Sequence, residues 1–216
     1  MMKTNVLIAG CGCAGLYCAL NLPQNLKVTI ITKSEEEKSD SYLAQGGMCV
    51  QRDDADFKSF FEDTMRSGHF ENDETSVEIM INSSRDVLDD LVSFGADFEK
   101  NEDGSLIFTR EGAHSEKRIV FHEDVTGKEI TSTLLKEAKK RKNIEILEYT
   151  TLLDIIEKDE KCIGAIIRKN TGEIETVESD YTVLATGGAG GLYKHTTNYR
   201  HLTADGVAIS AKHNIR

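Results

Sequence analysis

Residues Gly10, Cys11, Gly12, Cys13, Ala14 and Gly15 put three glycines at the spacing a backbone needs to wrap a phosphate. Gly10 permits a sharp exit from a strand, Gly12 lets the main chain approach a pyrophosphate, and Gly15 lets the next helix lie close on the sheet. Amides in the first turn of that helix then face the anion. Such a turn is common alone, and the competing reading is a tight structural turn. The flanks favour a nucleotide. Val6, Leu7 and Ile8 form a buried apolar run, Leu16, Ala19 and Leu20 line one helix face, and Val28–Ile31 supplies a second parallel strand. At the end of that strand, where a dinucleotide fold carries a ribose-binding Asp or Glu, the chain has Thr32-Lys33. That disfavours a plain NAD-dependent dehydrogenase.

Other reactive side chains give weaker signals. The five cysteines, Cys11, Cys13, Cys18, Cys49 and Cys162, form no CxxC pair and read as reduced thiols. Cys11 and Cys13 read as small packing residues of the loop. His114 and His122 lack the spacing of a metal site, and no metal is expected. The net charge of −11, from 26 basic and 37 acidic residues, comes without a basic stripe interleaved with aromatics, so nucleic acid is not an expected partner. No apolar run reaches membrane-spanning length and the chain leads straight into a strand without a signal peptide, so no membrane partner is expected and the cytoplasm is the expected location.

The positioning elements follow from periodicity. The 216 residues suffice for one large domain or for a domain with a small insertion. Lys33 to Gly47 reads as a loop that is first polar, then small and glycine-rich. Phe57, Phe60, Phe61 and Met65 recur at helical spacing, as do Val77, Ile81, Leu88, Leu91 and Val92. Phe98 to Thr109 reads as a hairpin around Glu102-Asp-Gly104, and Gly127 to Arg141 as a helix burying Ile130, Leu134, Leu135 and Ala138. A strand at Ile144–Leu147 precedes three more, Leu152–Ile156, Cys162–Arg168 and Glu173–Val177, which read as an antiparallel meander. Tyr181–Leu184 then rejoins the core sheet and runs into Ala185-Thr-Gly-Gly, Ala204–His213 is a helix, and another strand is expected to begin at Asn214–Arg216.

A glycine loop, a late meander and a strand ending in Ala-Thr-Gly-Gly resemble the α/β flavoproteins with two-dinucleotide-binding-domain (Rossmann-like) folds. Four further stretches sharpen the match: Ser41 to Gly47, Thr109 to His114, Asp124 to Gly127, and Leu192 to Asn198 followed by Asp205-Gly206. Together they resemble the flavoprotein family of succinate dehydrogenase, fumarate reductase and L-aspartate oxidase, most closely the last branch, over essentially the whole chain. The resemblance implies FAD, with its pyrophosphate on Gly10 to Gly15 and Lys33 near the adenosine end. It implies that Asp40, Ser41, Tyr42, Leu43, Ala44, Gln45, Gly46 and Gly47 follow the ribityl chain and flavin edge, and that Asp205 contacts the cofactor. Without the resemblance, Gln45-Gly46-Gly47 could be an ordinary turn. Residues 1–216 are expected to form an FAD-binding domain that stops before a capping domain, which in this family carries the remaining substrate residues and the proton-transferring arginine.

Two departures separate members of the family. Where covalent flavoproteins carry the linking histidine this chain has Asp40, which implies non-covalent FAD. At Glu111, where the dicarboxylate enzymes are typically apolar, it shares the glutamate of the L-aspartate oxidases. A carboxylate can pair with the ammonium of an amino dicarboxylate; a solvated loop residue is the alternative on spacing alone. The implied activity is oxidation of L-aspartate to iminoaspartate with oxygen or fumarate as acceptor, the first step of NAD biosynthesis, with quinolinate synthase a candidate partner. The alternatives are a soluble fumarate reductase or succinate dehydrogenase flavoprotein, and a non-catalytic FAD-binding fragment.

Overall fold

The structure, a computed structural model, describes residues 2–215. In chain order its elements are β1 (Met2–Ala9), α1 (Cys13–Leu20), β2 (Val28–Ile31), α2 (Asp40–Leu43), β3 (Met48–Cys49), α3 (Asp56–Ser67), α4 (Glu74–Phe94), β4 (Ile119–Val120), α5 (Thr126–Lys140), β5 (Ile144–Leu147), β6 (Thr151–Lys158), β7 (Lys161–Arg168), β8 (Ile174–Leu184) and α6 (Asp205–Lys212). They divide into two compact units. Of the described residues, those up to Leu43 and those from Leu134 onward form the first and Ala44–Thr133 the second, so the division falls after α2 and within α5.

The first unit is built on a mixed sheet in the order β5-β2-β1-β8-β7-β6. β1 pairs parallel with β2 and β8, and β2 parallel with β5. β6, β7 and β8 pair antiparallel in chain order. All four residues of β2 are buried, as expected of a parallel strand covered on both faces. Leu7, Ala9, Ile31, Ile167, Val177 and Ile209 pack into the core. Where the sequence suggests two strands, Glu173–Val177 and Tyr181–Leu184, there is one of eleven residues. The polar Glu178-Ser-Asp180 does not end it, because the ladder to β1 keeps one register on either side of Asp180, from Val177 to Ser179 and from Tyr181 to Leu184. β7 leaves at Gly164, opposite Glu178. One strand thereby serves both halves of the sheet.

Two other expectations change. The stretch read as a loop from Lys33 to Gly47 contains the helical turn α2, closed by Tyr42 N–H donating to Ser39 O. At the end of the chain, Asn214 adopts φ +54° and Ile215 N–H donates to Ser210 O, so these residues fold back on α6 where a strand was expected. Arg216 lies outside the described residues.

In the second unit Phe60, Met65, Val77 and Ile81 form the core between α3 and α4. The α4 stripe is buried at Val77, Ile81, Leu88 and Leu91, but Val92 is exposed, one residue being a 100° step off the face. Asp73 caps α4 by accepting Ser76 N–H at 2.8 Å, and Gly95 ends it in the left-handed conformation. The Gly104 turn is present, but its flanks form only a bridge between Lys100 and Leu106. β3 and β4 pair antiparallel, Met48 opposite Val120.

Candidate functional site

The carboxyl ends of three neighbouring parallel strands converge in the first unit. β1 runs into Gly10, β2 into Thr32-Lys33 and β8 into Ala185-Thr186, and open α/β sheets bind ligands in the crevice beyond such ends. A cavity of about 930 Å³ opens there, lined by Gly10, Cys11, Gly12, Lys33, Asp40 and Asp205 among others. Gly10 has φ +123°, and a Cβ on it would stand 2.0 Å from Ala185 O. A Cβ on Gly15 would stand 2.0 Å from Gly10 O, so both glycines are required by close backbone approach. At Gly12 the Cβ direction leads to Ser41 Oγ, 3.0 Å away. Gly12 caps α1 without a side chain, and Cys13 N–H donates to Ser41 Oγ at 3.2 Å. The remaining first-turn amides of α1 have no carbonyl within the helix to bond.

Charge in this cavity is sparse. Lys33 Nζ lies 2.7 Å from Asp205 Oδ2 and donates to Thr203 Oγ1 at 2.7 Å and His201 O at 3.0 Å. Asp205 opens α6, where a carboxylate complements the helix dipole. Asp40 accepts Tyr199 N–H at 2.9 Å through Oδ1 and the Asn198 amide through Oδ2. Burial pushes the Cys11 thiol up to about 12, so it stays neutral within the Gly10–Gly15 turn.

The second unit holds Ala44 to Gly47 and Glu111. Glu111 is exposed, and a Cβ on Gly46 would stand 3.1 Å from its Oε2, so the fold brings this carboxylate beside the glycine pair. Beneath that loop is a cluster the sequence did not reveal. Arg118, with no exposed side-chain surface, donates through Nη2 to Asp56 Oδ1 at 2.9 Å and through Nη1 to Asp63 Oδ2 at 2.7 Å. Its guanidinium also lies 5.0 Å from the Phe60 ring centroid. Burial alone would raise both aspartates. Hydrogen bonds from Arg118 and Arg52 outweigh it at Asp56, and those from Ser115 and Arg118 at Asp63, holding both below the usual carboxylate range. His114 Nε2 lies 3.1 Å from Cys49 Sγ. Burial, then the charge of Arg118, lowers its pKa.

Comparison with known proteins gives this geometry a family. The family model described as an FAD binding domain matches residues 5–216. The chain belongs to the FAD-binding domain family. The chain is 49% identical to the L-aspartate oxidase of Clostridium acetobutylicum, over 99% of this chain and 49% of that protein. It is 43% identical to the L-aspartate oxidase of Clostridium perfringens, over 98% of this chain and 48% of that protein. E. coli quinol fumarate reductase FrdA superposes with a TM-score of 0.93 at 27% identity, over 99% of this chain and 38% of that one. The chain therefore spans about half the length of the curated relatives it matches.

FAD is the cofactor of this family, and the first-unit cavity fits its dinucleotide. The FAD-binding domain offers amides and close backbone at Gly10–Gly15, a neutral Cys11 and the Lys33–Asp205 pair. Of the residues expected from sequence to touch it, Gly10, Cys11, Gly12, Ala14, Lys33, Asp40, Ser41 and Asp205 line the cavity. Cys13 bonds Ser41, Gly15 packs on Gly10, and Leu43 is exposed. Thr186, Asn198 and His201 also line it without having been assigned a role. The signal for Thr186 was available, since it follows a strand parallel to β1 and so shares its carboxyl edge. Among the described residues no three His, Cys, Asp or Glu side chains are grouped to hold a metal, and no helix is long and apolar enough to cross a membrane.

Proposed function

We propose that residues 1–216 form the FAD-binding domain of an L-aspartate oxidase, a cytoplasmic enzyme that converts L-aspartate to iminoaspartate. The observation that carries the substrate reading is the placement of Glu111, whose carboxylate stands at Gly46 at the head of the Gly-Gly pair. In that position it offers a counter-charge to the ammonium of an amino dicarboxylate. Bound FAD supplies a two-electron acceptor, and the protein supplies orientation and charge. Oxygen or fumarate takes the electrons onward, and quinolinate synthase uses the product on the way to NAD. The antiparallel set β6-β7-β8 is read as the meander of the flavoprotein fold.

Non-covalent FAD is supported by Asp40, a carboxylate tied to residues 198–199 with no nucleophilic nitrogen to offer a flavin. The similarity to E. coli quinol fumarate reductase favours a second reading, fumarate or succinate chemistry. Glu111→Gln separates the two. Loss of a hydrogen bond to a charged group costs about 1.5–3 kcal/mol, so kcat/KM for aspartate should fall roughly ten- to a hundred-fold in the FAD-loaded enzyme. Fumarate reduction by a chemical reductant should change far less. Equal losses for both substrates would remove Glu111 as the reader of the amino group.

A further inference from the structure

The segment carrying Glu111 is secured at both ends within its own unit. Upstream, Thr109 and Ile119 exchange backbone bonds of 2.9 and 3.1 Å. Downstream, Asp63 Oδ2 accepts both the N–H and the hydroxyl of Ser115 at 2.7 Å, and Arg118 Nη1 lies 3.1 Å from His114 Nδ1. Between the anchors Ala113, a residue with a Cβ, holds φ +70°. Such a conformation persists where its surroundings over-determine it.

The contacts of His114 fix its tautomer. A guanidinium donates only, so Nδ1 must be the lone-pair nitrogen. The neutral ring therefore carries its hydrogen on Nε2, aimed at Cys49 Sγ 3.1 Å away. Phe60 meets the ring edge-on at 5.7 Å between centroids. A protonated ring would lose the bond from Arg118 and set a second cation against it. Arg118 is already satisfied by Asp56, Asp63 and Ser59, so its contact with His114 is not needed to pair its charge. A buried ion cluster is also a poor stabiliser compared with apolar packing, which makes positioning the more economical account of it.

We propose that His114, held as the Nε2–H tautomer between Arg118 and Cys49, is a positioning residue that keeps the Glu111 carboxylate at Gly46 and so sets the preference for an amino dicarboxylate over its amine-free counterpart. The proposal rests on the Glu111 reading above. His114 touches no reacting atom in this role; it acts through the loop.

The test uses the complete FAD-loaded enzyme, with half-saturating concentrations of L-aspartate and succinate read from the flavin absorbance. His114→Ala should lower the aspartate-over-succinate preference about ten-fold, as Glu111→Gln does, while half-saturation by succinate changes less than two-fold. Nitrogen-15 NMR of the imidazole should show a protonated Nε2 and a bare Nδ1. If Glu111→Gln lowers the preference and His114→Ala does not, the positioning role is overturned and the Glu111 reading stands. If neither variant moves it, the Glu111 reading fails and this role with it. Equal weakening of both ligands, or an Nδ1–H tautomer, also overturns the proposal. Should His114→Ala not fold, His114→Gln is judged by the same ratio.

Discussion

The two units handle charge in opposite ways. The first keeps side chains out of its turn: glycines at 10 and 15 let backbone meet backbone, and the partly buried ion pair Lys33–Asp205 lines the cavity beyond. The second packs charge inside: Arg118 and two aspartates lie beneath an exposed loop that carries Glu111. An anion needs donors, which main-chain amides provide cheaply at a helix start. A carboxylate that must stand at one point on a surface loop needs its loop fixed, and directional charge-assisted hydrogen bonds do that.

The contrast implies that the first site breaks when atoms are added and the second when a charge is removed. The largest effect is expected from Gly10→Ala. Its Cβ would stand 2.0 Å from Ala185 O at φ +123°, and neither backbone can yield without moving β1 against β8. FAD should no longer co-elute with the protein on gel filtration, whereas Ala substituted at the open Gly112, where a Cβ meets nothing within 4 Å, should leave FAD bound. Retention of FAD by Gly10→Ala would mean the loop does not hold the cofactor as described.

Next in size is Arg118→Met, which leaves Asp56 and Asp63 buried without their shared partner and should cost about 3–5 kcal/mol in urea unfolding. The same cluster has a pH signature. A carboxyl whose folded pKa lies below its unfolded value contributes stability above the unfolded value and loses it as pH falls through the folded one. Both aspartates are depressed from an ordinary 3.8, so unfolding should steepen as pH drops below that value, and Arg118→Met should flatten this acid limb. A variant as stable as the parent, with the same acid limb, would show that the cluster contributes nothing.

The smallest effect sharpens the picture of the Glu111 loop. Ala113→Gly relieves a left-handed alanine worth roughly 1–2 kcal/mol but adds freedom to the unfolded chain, leaving a net gain of about 0.5–1 kcal/mol in thermal unfolding. Destabilisation would show that the methyl group is held by contacts that outweigh the strain.

Much of the first site could be read from the sequence because its determinants are neighbours in the chain. Gly10, Gly12 and Gly15 act within six residues, and the apolar runs of β1 and β2 flank them directly. The helices α3 and α4 declared their buried faces by periodicity for the same reason. The single long β8 could not be read that way, since Glu178-Ser-Asp180 is polar and pairing with β1, and with β7 at Glu178, makes it strand. Nor was α2 visible in a polar stretch whose Asp40 finds its partners at Asn198 and Tyr199.

By itself the sequence determined the Gly10–Gly15 turn and the parallel β1–β2 pair, and singled out Lys33, Glu111 and Asp205 as candidates. Tertiary structure alone decided that Lys33 pairs with Asp205, that Glu111 stands at Gly46, and that Arg118 is buried between Asp56 and Asp63. The physical reason is range. Backbone conformation and amphipathic periodicity are set by adjacent residues, whereas an ion pair forms only where the fold brings distant charges together and removes the water that would otherwise screen them.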